Sequence, residues 1–274
     1  MVAHGVSSDL AAAVDWAAPW FGPVAADGRA MVGAPDLRGA LSETARVRNV
    51  RTAAGSPVRF ADPTAAGSTA YEAHIARTGA VPTRDNLHDF FNALVWLGFP
   101  CTKARLNALQ ASAIAAHGIG VRRGPLRDAA TLIDENGMLL VTRRADLVDA
   151  LRQRAWRRLF VAYRAAWAGE VRAVVFGHAL MEKLVAPYKG ITAHALPVLL
   201  PADAPLAEVD AGVAAALDAT LSPRRLLPVP VMGIPGWACN DDAAYYDDQA
   251  VFRAPHPSGR SLKEPAAGQL NQGQ

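Results

Sequence analysis

Lysine is scarce in this chain. Of 28 basic residues among 274, only Lys103, Lys183, Lys189 and Lys263 are lysines. Heavy arginine and alanine usage reads first as the mark of a GC-rich genome. The few lysines still matter, because an ammonium shifts its pKa on burial far more readily than a guanidinium does. Cysteine is scarcer. Cys101 and Cys239 offer no disulfide framework and no metal-ligand spacing, which points to a reduced, cytoplasmic setting. Long apolar runs are missing as well. The longest, Phe90 to Cys101, is broken by Asn92 and Pro100 and falls short of the roughly 20 residues that cross a bilayer. The N-terminal stretch lacks a basic region and carries Asp9 and Asp15, so no signal peptide is expected. No GxSxG, P-loop, GxGxxG or CxxC occurs, which removes the local signals for serine hydrolases, nucleotide triphosphatases, dinucleotide enzymes and zinc ribbons.

What is present is ordinary for a globular protein, with 51% apolar and 19% charged residues. The length suits one globular domain over 1–253. The stretch 254–274, rich in Pro, Ser, Gly and Gln, has nothing to bury and is expected to be a disordered tail. The strongest local pattern is PTRDNLHDFFNALVWLGFPCTKARLNALQ, from Pro82 to Gln110. It predicts two helices meeting at Pro100, the second running from about Thr102 to His117. At 100° per residue Leu87, Phe90, Phe91, Leu94 and Leu97 share one side of the first helix. The opposite stripe holds Asp85, His88, Asp89, Asn92 and Trp96, groups that donate, accept and titrate where a solvated face would carry Lys, Glu and Arg.

Elsewhere the spacing predicts helices over 8–20 (capped by Ser8, with Leu10, Val14 and Trp16 as apolar contacts), 36–45 and 68–77, the last closed by Gly79. Val58 to Phe60 reads as a strand. Asn136-Gly137 between apolar runs predicts a tight hairpin. A long helix follows from about Ala145 to Trp167, open to a break near Arg152. VRAVVF (171–176) and LPVLLP (196–201) read as strands, GHALMEKLV and Leu206 to Leu221 as helices. LLPVPVMGIPGW reads as an extended segment laid over the surface. This order predicts an α+β class: a helix-rich single domain with a small mixed sheet containing a β-hairpin at about 130–142.

Several uncommon blocks recur in a fixed order: HDFFNALVWLGFP with Lys103, Leu106 and Asn107 after it, RDAATLIDENG, FGHALMEK, PYKGITAHALPV, and LPVMGIPGW followed by YYDDQAVFR. From about Trp16 to Arg253 they resemble a bacterial family catalogued as domain of unknown function 3025. The resemblance implies a single bacterial domain and assigns no residue a role.

Four groups carry candidate chemistry. His88 and Asp89 suit an acid/base pair, with Asn92 beside them; the structural alternative makes Asp85 a helix cap and Asp89 a first-turn acid. His178 and Glu182, four apart after a strand-to-helix turn, share a helix face. With His194 they form a set that a divalent metal could use, although no established zinc spacing is present. Asp128, Asp134 and Glu135 offer carboxylates, but Asp-Glu-Asn-Gly is also what a turn requires. Arg122, Arg123 and Arg127, with Arg154, Arg157, Arg158 and Arg164 on one helix face, could follow phosphates. A net charge of +3 is small for a dedicated nucleic-acid binder. The leading expectation is an enzyme acting on a small polar or anionic substrate by acid/base or metal-assisted hydrolysis. His88, Asp89, His178 and Glu182 would carry the chemistry, with Asn92, Lys103, Arg127 and Lys189 binding substrate. The alternatives are nucleic-acid binding through the arginines and a non-catalytic docking role for the segment at Trp237. The enzyme reading requires the His88 and His178 segments to meet around one cleft.

Overall fold

A computed structural model describes residues 11–118 and 124–254. The expected Ser8 cap, Leu10, Arg122, Arg123 and the tail from 255 onward lie outside the described residues. The helices are α1 (Ala25–Met31), α2 (Leu37–Val47), α3 (Tyr71–Thr78), α4 (Leu87–Gly98), α5 (Pro100–His117), α6 (Pro125–Asn136), α7 (Ala145–Arg152), α8 (His178–Lys183) and α9 (Leu206–Ala216). The strands are β1 (Arg59–Ala61), β2 (Ala80–Pro82), β3 (Gly137–Thr142), β4 (Val171–Val175), β5 (Thr192–Val198) and β6 (Leu227–Pro230). β1 and β2 form a small parallel pair. The other four make one mixed sheet in the order β4-β3-β5-β6. β3 is antiparallel to β4 and parallel to β5, and β6 closes the far edge antiparallel to β5. The α+β class therefore holds.

Every residue of β3 is buried, which explains its continuous Met-Leu-Leu-Val run. The helical corner supplies much of the core. Phe91, Leu94, Trp96 and Phe99 are essentially inaccessible to solvent, and Phe91 stacks on Phe21 with ring centroids 5.5 Å apart. Each such side chain contributes about 1.5–3 kcal/mol through removal of apolar surface from water. α5 begins with Pro100 at its first turn, where the missing N–H costs nothing. The free amides of Cys101 and Thr102 donate to the Asp210 carboxylate, both at 2.8 Å. That buried acid reaches across from α9, so the helix start is satisfied by a residue far along the chain.

The hairpin expected at 130–142 does not form. Pro125 to Asn136 is helix, and it runs straight into β3. Leu126, Ala129, Ala130 and Ile133 repeat at helical spacing and pack inward. Gly137 has an ordinary φ of −73°, where a type I′ turn would need it positive. The expected long helix is in fact broken: α7 stops at Arg152, and Arg154 adopts a left-handed φ of 51°. The chain then resumes as a π-helical turn and a 3-10 turn over 157–168. Asn86 rather than Asp85 caps α4, accepting from the Asp89 amide at 2.7 Å, while Asp85 pairs with Arg38. The 227–237 segment is no surface strap. It supplies β6, and Val231, Met232 and Ile234 are buried, clasped by the Asn240 amide on the carbonyls of Met232 and Ile234.

Among the described residues, no helix is long and apolar enough to cross a membrane.

Candidate metal centre

α6 enters β3 with no intervening loop, and β4 leads through Phe176 and Gly177 into α8. Antiparallel pairing of Met138 with Val175 sets the end of α6 beside the start of α8. Gly177 allows the close approach. A Cβ there would lie 2.4 Å from the Gly137 amide nitrogen and 2.5 Å from the Glu135 carbonyl oxygen. Instead the Phe176 and Gly177 amides both donate to the Gly137 carbonyl, at 3.0 and 2.8 Å. Lys183 adds a hydrogen bond from α8 to Asn136 at 2.9 Å. α4 packs against α8 and brings His88 with it.

The resulting cluster is tight. The Nε2 atoms of His88 and His178 lie 3.1 Å apart, so the two segments do meet. A Glu135 carboxylate oxygen is 3.6 Å from His178 Nε2 and 4.0 Å from His88 Nε2. These separations are close to the roughly 3–3.4 Å expected between ligands around a tetrahedral cation with bonds near 2.0–2.1 Å. Among the described residues, His88, Glu135 and His178 form a group able to hold a metal ion.

Neighbouring groups fix which nitrogens face inward. His88 Nδ1 lies 3.0 Å from a Glu182 carboxylate oxygen, so that nitrogen carries the proton in the neutral ring and Nε2 keeps its lone pair. His178 is buried, and desolvation pushes its pKa down to about 4. It is therefore neutral near pH 7. Its enclosed Nδ1 has no hydrogen-bond partner among the described residues and sits 3.8 Å from Asp134 Oδ2. A proton on Nδ1 faces that carboxylate favourably, whereas a lone pair there would be repelled. This leaves the second Nε2 lone pair also pointing into the cluster.

Behind His178 runs a buried polar chain. Asp134 accepts from Lys103 Nζ at 2.5 Å, Lys103 donates to Asn92 Oδ1 at 2.8 Å, and Asn92 donates to the Tyr71 hydroxyl at 2.9 Å. Burial opposes the charge on Asp134, yet the Lys103 ammonium, by its charge and its hydrogen bond, holds the carboxyl below the usual range. Glu135 is displaced the other way, raised by burial and by the charge of Asp134. Although 40% of the Tyr71 residue surface is exposed, its hydroxyl turns inward. Burial and the charge of Glu72 raise its pKa well above the usual value.

A cavity of about 620 Å³ opens over the cluster, lined by His88, His178, Glu135, Tyr71 and Arg127 among others. Arg84 and Asp89 also line it, but they are spent on each other. The Asp89 carboxylate takes the Arg84 amide at 2.7 Å and its guanidinium at two points, both 2.9 Å. The structure thus gives Asp89 a structural partner and no contact with the imidazoles. Asn92 and Lys103 belong to the polar chain, Arg127 to the cavity wall.

Three sequence expectations are corrected. Glu182 serves His88 rather than joining His178 in a metal-ligand set. His194 is no member of the cluster, because the register of β5 pairs it with Gly137 and Pro228 inside the sheet. Lys189 is outside the cavity wall, held by Asp248 at 2.9 Å and 4.3 Å above the Tyr245 ring. Asp134 and Glu135, whose Asp-Glu-Asn-Gly context suits a turn, instead close a helix and face the imidazoles. Tyr71 gave no signal.

The chain belongs to the family described as protein of unknown function DUF3025, whose model matches residues 58–256. That span holds every residue of the cluster and its polar chain. No curated protein and no solved structure matches the chain.

Proposed function

We propose that the protein is a cytoplasmic, divalent-metal-dependent hydrolase of a small polar or anionic substrate, with His88, His178 and Glu135 as the metal ligands. The carrying observation is the convergence of two imidazole lone pairs, 3.1 Å apart, on a carboxylate oxygen. Such an arrangement repels itself unless a cation or a shared proton sits between the groups, and neutral imidazoles with a carboxylate are ligands of choice for zinc and similar ions. Glu182 fixes the His88 ring and Asp134 the His178 ring, each through the nitrogen turned away from the cation. Lys103 keeps Asp134 ionised for that task. The cation would lower the pKa of a bound water and polarise the scissile group. Tyr71, a neutral donor, is available to a developing negative charge in the cavity. The unpaired Cys101 and Cys239 suit a reducing compartment.

Nucleic-acid binding has less support. Arg157 and Arg164 are engaged by Asp247 and Asp241, whereas a phosphate-tracking face needs them free.

Elemental analysis of the purified full chain, then titration of chelator-treated protein with Zn²⁺, Mn²⁺ and Fe²⁺, tests the reading. About one ion per chain is expected. His88→Ala and His178→Ala should each weaken it at least about a hundredfold. Wild-type protein that takes up none of the three ions saturably would sink the proposal.

A further inference from the structure

The cavity wall contains one arginine that is used and one that is not. Arg84 is held by Asp89 along one guanidinium edge, through Nε and Nη2. Arg127 lines the same cavity, yet its Nε is enclosed and has no hydrogen-bond partner among the described residues. A buried guanidinium N–H left unmatched is costly unless an acceptor arrives.

Around it the wall mixes donors with the carboxylates of Glu72, Asp89, Asp134 and Glu135. The Tyr71 hydroxyl accepts from Asn92, so its own proton remains to be donated. Gln110 lines the wall as well. Glu72 would seem the natural counter-charge for Arg127, but its carboxyl is occupied by Asn107 at 2.6 Å and Gln110 at 3.2 Å. Burial and the charge of Asp134 push its pKa up to about 7, so near neutral pH it is only partly ionised.

We propose that Arg127, with the Tyr71 hydroxyl, is the anchor for an oxyanion of the substrate, a carboxylate or phosphate group that occupies this wall while the rest of the molecule reaches the imidazole cluster. A guanidinium carries paired N–H groups, the fork that matches such an oxyanion. A cavity of about 620 Å³ admits a small metabolite and no folded partner. The inference rests on the hydrolase reading for the reacting end of the substrate, and on Arg127 alone for the anchored end.

Calorimetric titration of the full chain with inorganic phosphate, and separately with succinate, tests it on both chelator-treated and zinc-loaded protein. Saturable binding is expected in both forms, weakened at least about tenfold by Arg127→Met with metal stoichiometry unchanged. Arg127→Lys should recover part of the loss as a point charge, and it carries the test if the methionine variant fails to fold. The tighter of the two probes names the oxyanion. Wild-type affinity in both variants, or no binding of either probe to wild type, overturns the anchor. Arg127-dependent phosphate binding in a protein that takes up no metal would remove the hydrolase reading alone. Metal uptake with anion binding indifferent to Arg127 would remove the anchor alone.

Discussion

Two regions of this molecule concentrate charge, and they arrange it in opposite ways. Around the turn at Ala243–Asp247, three cations each have an anion: Arg157 with Asp247, Arg164 with Asp241, Lys189 with Asp248. Lys189 lies over Tyr245 and Phe252 as well, so the group is closed and locks the turn to the body. Between α4, α6 and α8 the balance fails. Asp134, Glu135, Glu182 and two inward imidazole nitrogens lie close together, while the Lys103 ammonium is committed to Asp134 and that of Lys183 donates to Asn136. Burial first, and then the charge of Asp134, raises the carboxyls of Glu135 and Glu72. Charge that cancels holds a fold together; charge left in surplus on rigid elements asks for something from solution.

That contrast can be broken most forcefully at Lys103. Lys103→Met should strand the buried Asp134 charge and cost about 3–5 kcal/mol, read as a lower urea midpoint. The double change with Asp134→Leu should recover most of it, and an unaltered midpoint in the single variant would show the pair to be dispensable. Next comes Glu182→Gln, expected to weaken metal binding about 10–100-fold with little effect on folding of the metal-free chain. Equal metal affinity would remove Glu182 from its supporting role.

Glu72 sharpens the comparison through pH. Below pH 4.5 the carboxyl is protonated whether folded or not, and it contributes nothing to the pH dependence. As pH rises from 4.5 to about 7 the unfolded chain releases the proton first, so the native state loses stability, on the order of 1–3 kcal/mol. Glu72→Gln should flatten that decline in melting temperature between pH 5 and 8; a parallel curve would count against the buried carboxyl. The smallest effects belong to the balanced region. Arg157→Ala and Arg164→Ala should each shift stability by less than about 1 kcal/mol, because exposed pairs are screened, and leave metal content untouched.

Much of the fold was written locally. Helix α2, the stop of α3 at Gly79, the Pro100 corner, the end of α5 at Gly118 and strand β4 all follow from glycine or proline punctuation and apolar spacing. The stretch 126–137 was misread because Asn-Gly is a strong turn signal, and only packing of Ile133 and Ala129 beneath the sheet favours the helix. His88, His178 and Glu182 stood out as titratable groups on apolar elements. Choosing between His88 and His194 as the partner of His178 was a different matter, since sheet register decides which imidazole arrives. Tyr71 and Glu72 become informative only through contacts with Asn92, Asn107 and Gln110, 21 to 38 residues away.

The capping of α5 by Asp210 has a consequence for the order of assembly. Lys103 sits in the first turn of that helix, and the amides just before it wait for a carboxylate that leaves the ribosome more than a hundred residues later. Closing a loop of that length costs about 4 kcal/mol of chain entropy, and nothing short of the α9 segment supplies the bond. A nascent chain ending before residue 210 therefore holds His88, Glu135 and His178 without the finished scaffold behind them. The helix that carries Lys103 is completed late in synthesis, by a residue that never touches the imidazoles.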